Sequence, residues 1–292
     1  MRQLVMADAS GVIQFVTYLP GRCCEIPEIS VLIPCWHGEQ TIAGALDSVE
    51  VQIGLPHAFG IEIVVVADGR REDAWAVEEW MEKRGESRRF ALTLLQLASN
   101  VGAGSARRLG YAYCRGKFLA FLDDDDIWHP RKLAVQWGWH QANPDRIASV
   151  HGHGEQPSEQ DRSFARLLIG GCRQPTPVVM IRRSLWPYEP EPYRYGEDWL
   201  MLAMIARLQP IKVIADNLAC RSPLAPPVAS DPYSLSRQRL NMRGCQLRSI
   251  HLLVERGCLN SIWMPVIALW LLVLAIRRWL LDWAALFRQP AA

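Results

Sequence analysis

The sequence predicts an α/β protein with a mixed, mainly parallel central sheet, and three observations lead to it. Short apolar, β-branched runs recur at Ile29–Ile33, Ile61–Val66, Ala91–Leu97 and Phe118–Leu122. Stretches with helical spacing separate them, and each run stops at a polar cluster. Runs this short and this apolar mark strands buried on both faces. Strands alternating with helices call for parallel pairing, in which ligands bind beyond the carboxyl ends of the strands.

Residues 1–27 mix short apolar groups with Gly11, Pro20, Gly21 and Pro27 and read as an irregular or weakly β lead-in. The first buried strand is expected to stop at Pro34, which has no amide to donate, with a helix from Thr41 to Val51. The second run ends at Ala67-Asp68-Gly69, before an amphipathic segment over Glu72–Lys83. The third leads through Asn100 and a glycine-containing turn into a helix reaching Cys114. The fourth runs directly into Asp123, Asp124, Asp125 and Asp126. After Trp128 and Pro130 the pattern predicts a helix over Arg131–Gln141, strands near Ile147–His151 and Pro177–Arg182, and a helix over Glu197–Leu208. Pro223, Pro226, Pro227 and Pro232 then read as an extended linker. The expected division is a lead-in over 1–27, an α/β domain over 28–222, a linker and basic helix over 223–256, and an apolar tail over 257–292.

With 292 residues, 50% apolar and 21% charged, the chain has enough apolar content for a sizeable core. A net charge of +2 is too mild for an electrostatic grip on nucleic acid, which is not expected as a partner. The eight cysteines form no C-x-x-C pair and read as reduced, mostly buried thiols of a reducing cytoplasm. The first thirty residues carry no basic start, continuous apolar stretch or cleavage site, so no export is expected.

Four adjacent carboxylates repel one another, and a hard divalent cation relieves that repulsion through oxygen coordination. At the carboxyl edge of a sheet, metal binding is favoured over a solvated turn that caps the next helix. Asp68 also ends a strand, beside a glycine where backbone approaches a ligand closely. Glu197 and Asp198 open a helix, where an acid by itself reads as a cap. His151 and His153 share a strand face and read as structural before they read as ligands. Trp137 and Trp139 read as packing before sugar stacking. Gly102 and Gly104 suggest a dinucleotide fingerprint, but Arg107 stands in the third glycine's place.

Taken together, ISVLIPCWHGEQTIAGALDSV, IEIVVVADG, NVGAGSARRLGYAYCRGKFLAFLDDDDIWHPRKL and VVMIRRSLWPYEPEPYRYGEDWLMLAMIARL resemble the family 2 glycosyltransferases, which have the GT-A fold; the likeness covers Ile29 to Leu208. The resemblance implies that Pro34 and the loop after it border the nucleotide base and that Asp68 accepts a hydrogen bond from it. Asp123 and Asp125 match the ends of the family's D-x-D element, with Asp123 and Asp124 on the nucleotide-sugar side and with Asp125, the direct ligand, and Asp123 holding Mn2+ or Mg2+. Arg107 matches an arginine near the nucleotide. Asp198 matches the presumed catalytic base, with Glu197 beside it. The implied activity is inverting transfer from a nucleotide-sugar donor to a glycan or lipid-linked acceptor. Ala67, Arg70, Arg71 and Arg108 depart from the family pattern, which puts the choice of donor in doubt. A catalytically inactive membrane-bound relative and a nucleotide-dependent oxidoreductase are the competing readings.

No charged residue occurs from Gly257 to Ile276, a length near the roughly 20 residues of a membrane span. Arg277, Arg278, Trp279 and Trp283 follow in a pattern that suits an interfacial helix. Arg237, Arg239, Arg243 and Arg248 precede the block and suit anionic lipid. The expectation is a tail associated with membrane lipid at the cytoplasmic face, against the alternative of a buried terminal helix.

Overall fold

The computed structural model describes residues 3–6, 11–20, 26–56, 59–84, 90–155, 157, 161–170, 174–186, 193, 196–227, 248–267, 269–270, 272–273 and 276. Strands β1 (Gln3–Met6), β2 (Ile13–Leu19), β3 (Ile29–Cys35), β4 (Ile61–Ala67), β5 (Phe90–Leu97), β6 (Phe118–Phe121), β7 (Asp126–Trp128), β8 (Ala148–His153), β9 (Met180–Arg182) and β10 (Lys212–Arg221) form one sheet. Its order is β1-β2-β5-β4-β3-β6-β9-β8-β10-β7. The central block β5-β4-β3-β6 is parallel throughout. Helices α1 (Ile42–Glu50), α2 (Arg71–Arg84), α3 (Ala103–Tyr111), α4 (Lys132–Ala142), α5 (Phe164–Gly170) and α6 (Glu197–Leu208) connect and cover it.

Every residue of β3 and β4 is buried, as expected of a parallel strand with helices on both faces. The lead-in is more ordered than the expected weakly β segment. It supplies β1 and β2, with β2 running antiparallel to β5. β3 also continues one residue past its expected stop. The Leu32 carbonyl accepts from the Leu122 amide, so Leu32 and, two residues on, Pro34 face the β6 side. Pairing with β6 ends at Leu32↔Phe121, and the missing amide of Pro34 therefore costs no ladder bond.

The segment read as one strand over Pro177–Arg182 is instead a short 3₁₀ turn, Thr176–Val178, followed by β9. β7, β10 and α5 had no expected counterpart. A second apolar cluster lies beside the main core, where Trp199, Leu200, Ala203 and Met204 of α6 pack on Ile250, Leu253 and Cys258. Residues 248–255 are helical, so part of the expected linker region is packed against α6. Helical residues also occur at 264–267, 269–270, 272–273 and 276, and Ile262, Val266, Leu269 and Leu272 are exposed there. Arg237, Arg239, Arg243, Arg277, Arg278, Trp279 and Trp283 lie outside the described residues. Among the described residues no helix is long and apolar enough to cross a membrane.

Candidate active site

The loops after β3, β4 and β6 meet at the carboxyl edge of the parallel block, because Cys35 is in register with Ala67 and Leu32 with Phe121. The loop after β3, Trp36 to Glu39, is held by two acids from different elements. Asp124 Oδ2 accepts from the Trp36 amide at 2.9 Å. Asp73, fully buried in the first turn of α2, accepts from the His37 amide at 3.1 Å and the Gly38 amide at 3.0 Å. These bonds hold His37 at φ 60, a conformation uncommon outside glycine. A side chain at Gly38 would overlap the Asp124 carboxylate and the Cys35 sulfur. Burial, then a hydrogen bond with Glu39, lifts Asp73 to about 6. Burial, then Asp125, pushes Asp124 well above the ordinary carboxylate range.

Arg70, a departure from the family pattern, bonds to the His37 ring and to Glu39 Oε2 at 3.1 Å, which crosslinks the same loop. Asp68 is buried and already engaged. It accepts from the Val101 amide at 2.7 Å, the Gly102 amide at 2.9 Å and Asn100 Nδ2 at 2.9 Å. Gly69, at φ 84, lies so close to the Ser99–Asn100 backbone that a side chain there would overlap it. The loops after β4 and β5 are thereby locked together.

The acidic turn splits into separate environments. Asp123 pairs with Arg107 Nη2 at 2.6 Å and lies within 3.5 Å of Thr176 Oγ1. Asp125 pairs with Arg221 Nη1 at 2.8 Å. Asp126 turns inward onto His153 Nε2 at 2.8 Å, and that bond raises the His153 imidazole above its ordinary value. Asp125 is lifted to about 6 by burial and then by Asp123. Two carboxylates that repel each other and are both part-exposed suit a divalent ion that keeps several waters and takes one or two carboxylates plus phosphate oxygens. Among the described residues no preassembled group of three acids, histidines or cysteines surrounds such a site, and this coordination does not require one.

Arg107 is the link. Its guanidinium is 6% exposed and reaches Glu197 Oε1 at 2.5 Å, as well as Asp123 and Thr176 Oγ1, which lies at 3.0 Å. It therefore joins α3, the acidic turn and the first turn of α6 in one charge cluster. Glu197 is raised to about 7 by burial, against the pull of Arg107. Asp198 is raised by burial first, and its Oδ1 accepts from the Trp199 amide at 2.7 Å.

Each sequence-predicted site residue lies at this edge. Arg107 joins Asp123 to Glu197, with Asp198 next to Glu197 and Asp125 two residues beyond Asp123, while Asp124 holds the loop after β3 and Asp68 the loop after β5. Asp73, Thr176 and Arg221 were missed, because each reaches the site from a segment with no chemical signature of its own, whereas His153, read as structural, pairs with Asp126 of the acidic turn. His151 donates Nδ1 to the Gly152 carbonyl at 2.7 Å, and burial lowers it to about 3. Trp137 packs edge-on against Phe59. The buried Arg107 fills the place a dinucleotide fold keeps for its third glycine and turns to the acids Asp123 and Glu197, while α3 makes its close approach to β3 and β4 at Gly110 instead.

The chain is 28% identical over 213 residues to an uncharacterised glycosyltransferase of Nostoc sp., covering 66% of this chain and 63% of the relative. It is 27% identical to the Escherichia coli UDP-Glc:alpha-D-GlcNAc-diphosphoundecaprenol beta-1,3-glucosyltransferase WfgD, covering 66% of this chain and 75% of that protein. Among solved structures it resembles Staphylococcus aureus TarS with UDP-GlcNAc, at 21% identity and TM-score 0.58, covering 76% of this chain and 66% of that one. It also resembles the Pyrobaculum calidifontis mannosyltransferase PcManGT with GDP-Man and Mn2+, at 17% identity and TM-score 0.58, covering 85% and 70%. The expected GT-A fold is therefore the fold of this chain. The sequence model described as Glycosyl transferase family 2 matches residues 30–207, more than half of the chain, and the protein belongs to that family.

Proposed function

We propose that the protein is an inverting, metal-dependent glycosyltransferase that moves a sugar from a nucleotide-diphosphate sugar to a glycan or lipid-linked acceptor. One observation carries this reading: Arg107 ties Asp123, on the leaving-group side, to Glu197, beside the base. Asp125 and Asp123 would hold Mn2+ or Mg2+, which neutralises charge on the diphosphate. Asp198 takes the proton of the acceptor hydroxyl, whose oxygen then bonds to the anomeric carbon. The bond from that carbon to the diphosphate oxygen breaks, and its electron pair leaves with the diphosphate. A single base acting opposite the leaving group gives inversion with no covalent sugar intermediate. Burial raises Asp198, which makes it a better proton acceptor than a solvated aspartate. Asp68, Pro34 and the loop after it border the base, and Asp124 supports that loop.

Two relatives support a lipid-linked acceptor: the E. coli enzyme named above, and a Drosophila melanogaster dolichyl-phosphate beta-glucosyltransferase that is 31% identical over 158 residues, covering 49% of this chain and 46% of that one. A nucleoside diphosphate is expected to raise the melting temperature mainly when Mn2+ or Mg2+ is present, because ligand binding to the folded state adds stability. Asp125→Asn is expected to lose most of that metal-dependent shift. An equal shift in excess chelator would remove the metal from the reading.

The tail bears on location. Ile262 and Leu269 are 72% and 63% exposed, and Trp263 and Trp270 are exposed with them, a composition that suits a lipid interface. We place the protein at the cytoplasmic face of a membrane, with the α/β domain over 28–222 as the catalytic unit and residues 257–292 as the membrane-associated tail. Removing residues 268–292 spares Cys258, Met264 and Ile267, which pack with α6, and is expected to abolish flotation with anionic vesicles while leaving donor hydrolysis within about twofold, because every proposed chemical group precedes the tail. Undiminished flotation of the shortened protein would rule the anchor out.

A further inference from the structure

Arg221 ends β10 opposite Asp126 and approaches the acidic turn from a segment that no motif identifies. Its Nη1 is 2.8 Å from Asp125 Oδ2, its Nη2 donates to the Pro226 carbonyl at 3.1 Å, and the Ser222 amide donates to the Asp125 carbonyl at 2.8 Å. The chain leaving β10 is thus tied to the aspartate proposed as the direct metal ligand. The two acids of the site differ in how firmly they are held. Asp123 and Asp125 are themselves alike, at 28% and 30% exposed, but Asp123 is fixed by Arg107, which is 6% exposed, whereas Arg221 is 31% exposed. An ion pair as wet as the second is screened and easily exchanged.

Resting on the glycosyltransferase reading, we propose that Arg221 is a leaving-group contact stored on Asp125: on donor binding Asp125 exchanges Arg221 for the divalent ion, and Arg221 takes the diphosphate. A guanidinium and a hard cation compete for the same carboxylate oxygens, so the empty and loaded sites need different partners for Asp125. The released fork matches phosphate oxygens in a paired geometry that an ammonium cannot reproduce. The exchange also keeps charge matched. Before binding, Asp125 and Arg221 neutralise each other. Afterwards each has a new opposite charge, and Arg221 faces the oxygen that receives the electron pair when the sugar departs.

The test compares the full-length wild type with Arg221→Gln and Arg221→Lys, using Mn2+ alone and then a panel of nucleoside diphosphates at saturating Mn2+, followed by calorimetry. Arg221→Gln is expected to bind Mn2+ alone about two- to fivefold more tightly, the weight of an exposed ion pair removed from competition. It is expected to bind its nucleoside diphosphate about tenfold or more weakly, the weight of a lost charged contact. Arg221→Lys keeps a competing cation but not the fork, so its Mn2+ affinity stays near wild type while nucleotide affinity falls. Mn2+ affinity that does not rise in Arg221→Gln, or nucleotide affinity that does not fall, overturns the exchange. Should Arg221→Gln fail to fold, the lysine variant decides, and wild-type nucleotide affinity there overturns it. A wild-type protein that binds no member of the panel with Mn2+ would instead remove the sugar-transfer reading on which the proposal rests.

Discussion

Asp198→Asn is expected to lower sugar transfer by about 10²- to 10⁴-fold, the usual weight of a general base, with donor affinity and melting temperature close to wild type. The substituted side chain keeps an oxygen that can still accept from the Trp199 amide, so the start of α6 is preserved. What it loses is the ability to take the acceptor's proton. In the wild type, transfer is expected to fall as pH drops through a range above that of an ordinary aspartate, because burial lifts Asp198 and raises Glu197 to about 7 and the base must be unprotonated to act. Asp198→Asn should flatten that acidic limb of the rate profile. Glu197→Gln should have the milder effect of a neighbour that orients the base. A destabilised Asp198→Asn protein that transfers sugar at near wild-type rate would leave Asp198 as a helix cap only, and the base would lie elsewhere.

Arg107→Ala is expected to be the most damaging single change to the site. It leaves Glu197, 11% exposed, and Asp123 without their shared cation, and removing one partner of a buried charge pair costs about 3–5 kcal/mol. A urea melt should show that loss as a lower midpoint with an unchanged slope. Transfer should fall with it, because the guanidinium is what holds the acidic turn against the start of α6. Arg107→Lys should recover little, since a single ammonium cannot reach Asp123, Glu197 and Thr176 at once as the planar fork does. An Arg107→Ala protein with wild-type stability and transfer would show that the two acids are placed by other contacts.

The two expectations rest on parts of the chain that differ in how legible they were. The four central strands could be read directly, because a strand buried on both faces must be apolar at nearly every position, and β3 and β4 are. The acidic turn was legible because its residues are covalent neighbours. β10 was not, because register shifts at Asn217 break its alternation and three consecutive positions are exposed. β7 is only three residues long, too short for any period to show. β1 and β2 were obscured by the glycines and prolines around them.

The sequence by itself determined the fold class and the acids that crowd at the carboxyl edge of the sheet, because both depend on residue type and spacing along the chain. Only the tertiary structure decided how those acids divide. Asp124 faces inward to hold the loop after β3, Asp126 pairs with His153, Asp123 is fixed by Arg107, and Asp125 meets Arg221. Four adjacent aspartates are chemically alike as letters. Their roles separate through burial and through the charge each one faces, and those charges come from α3, β8 and β10, brought to the turn only when the sheet closes around it.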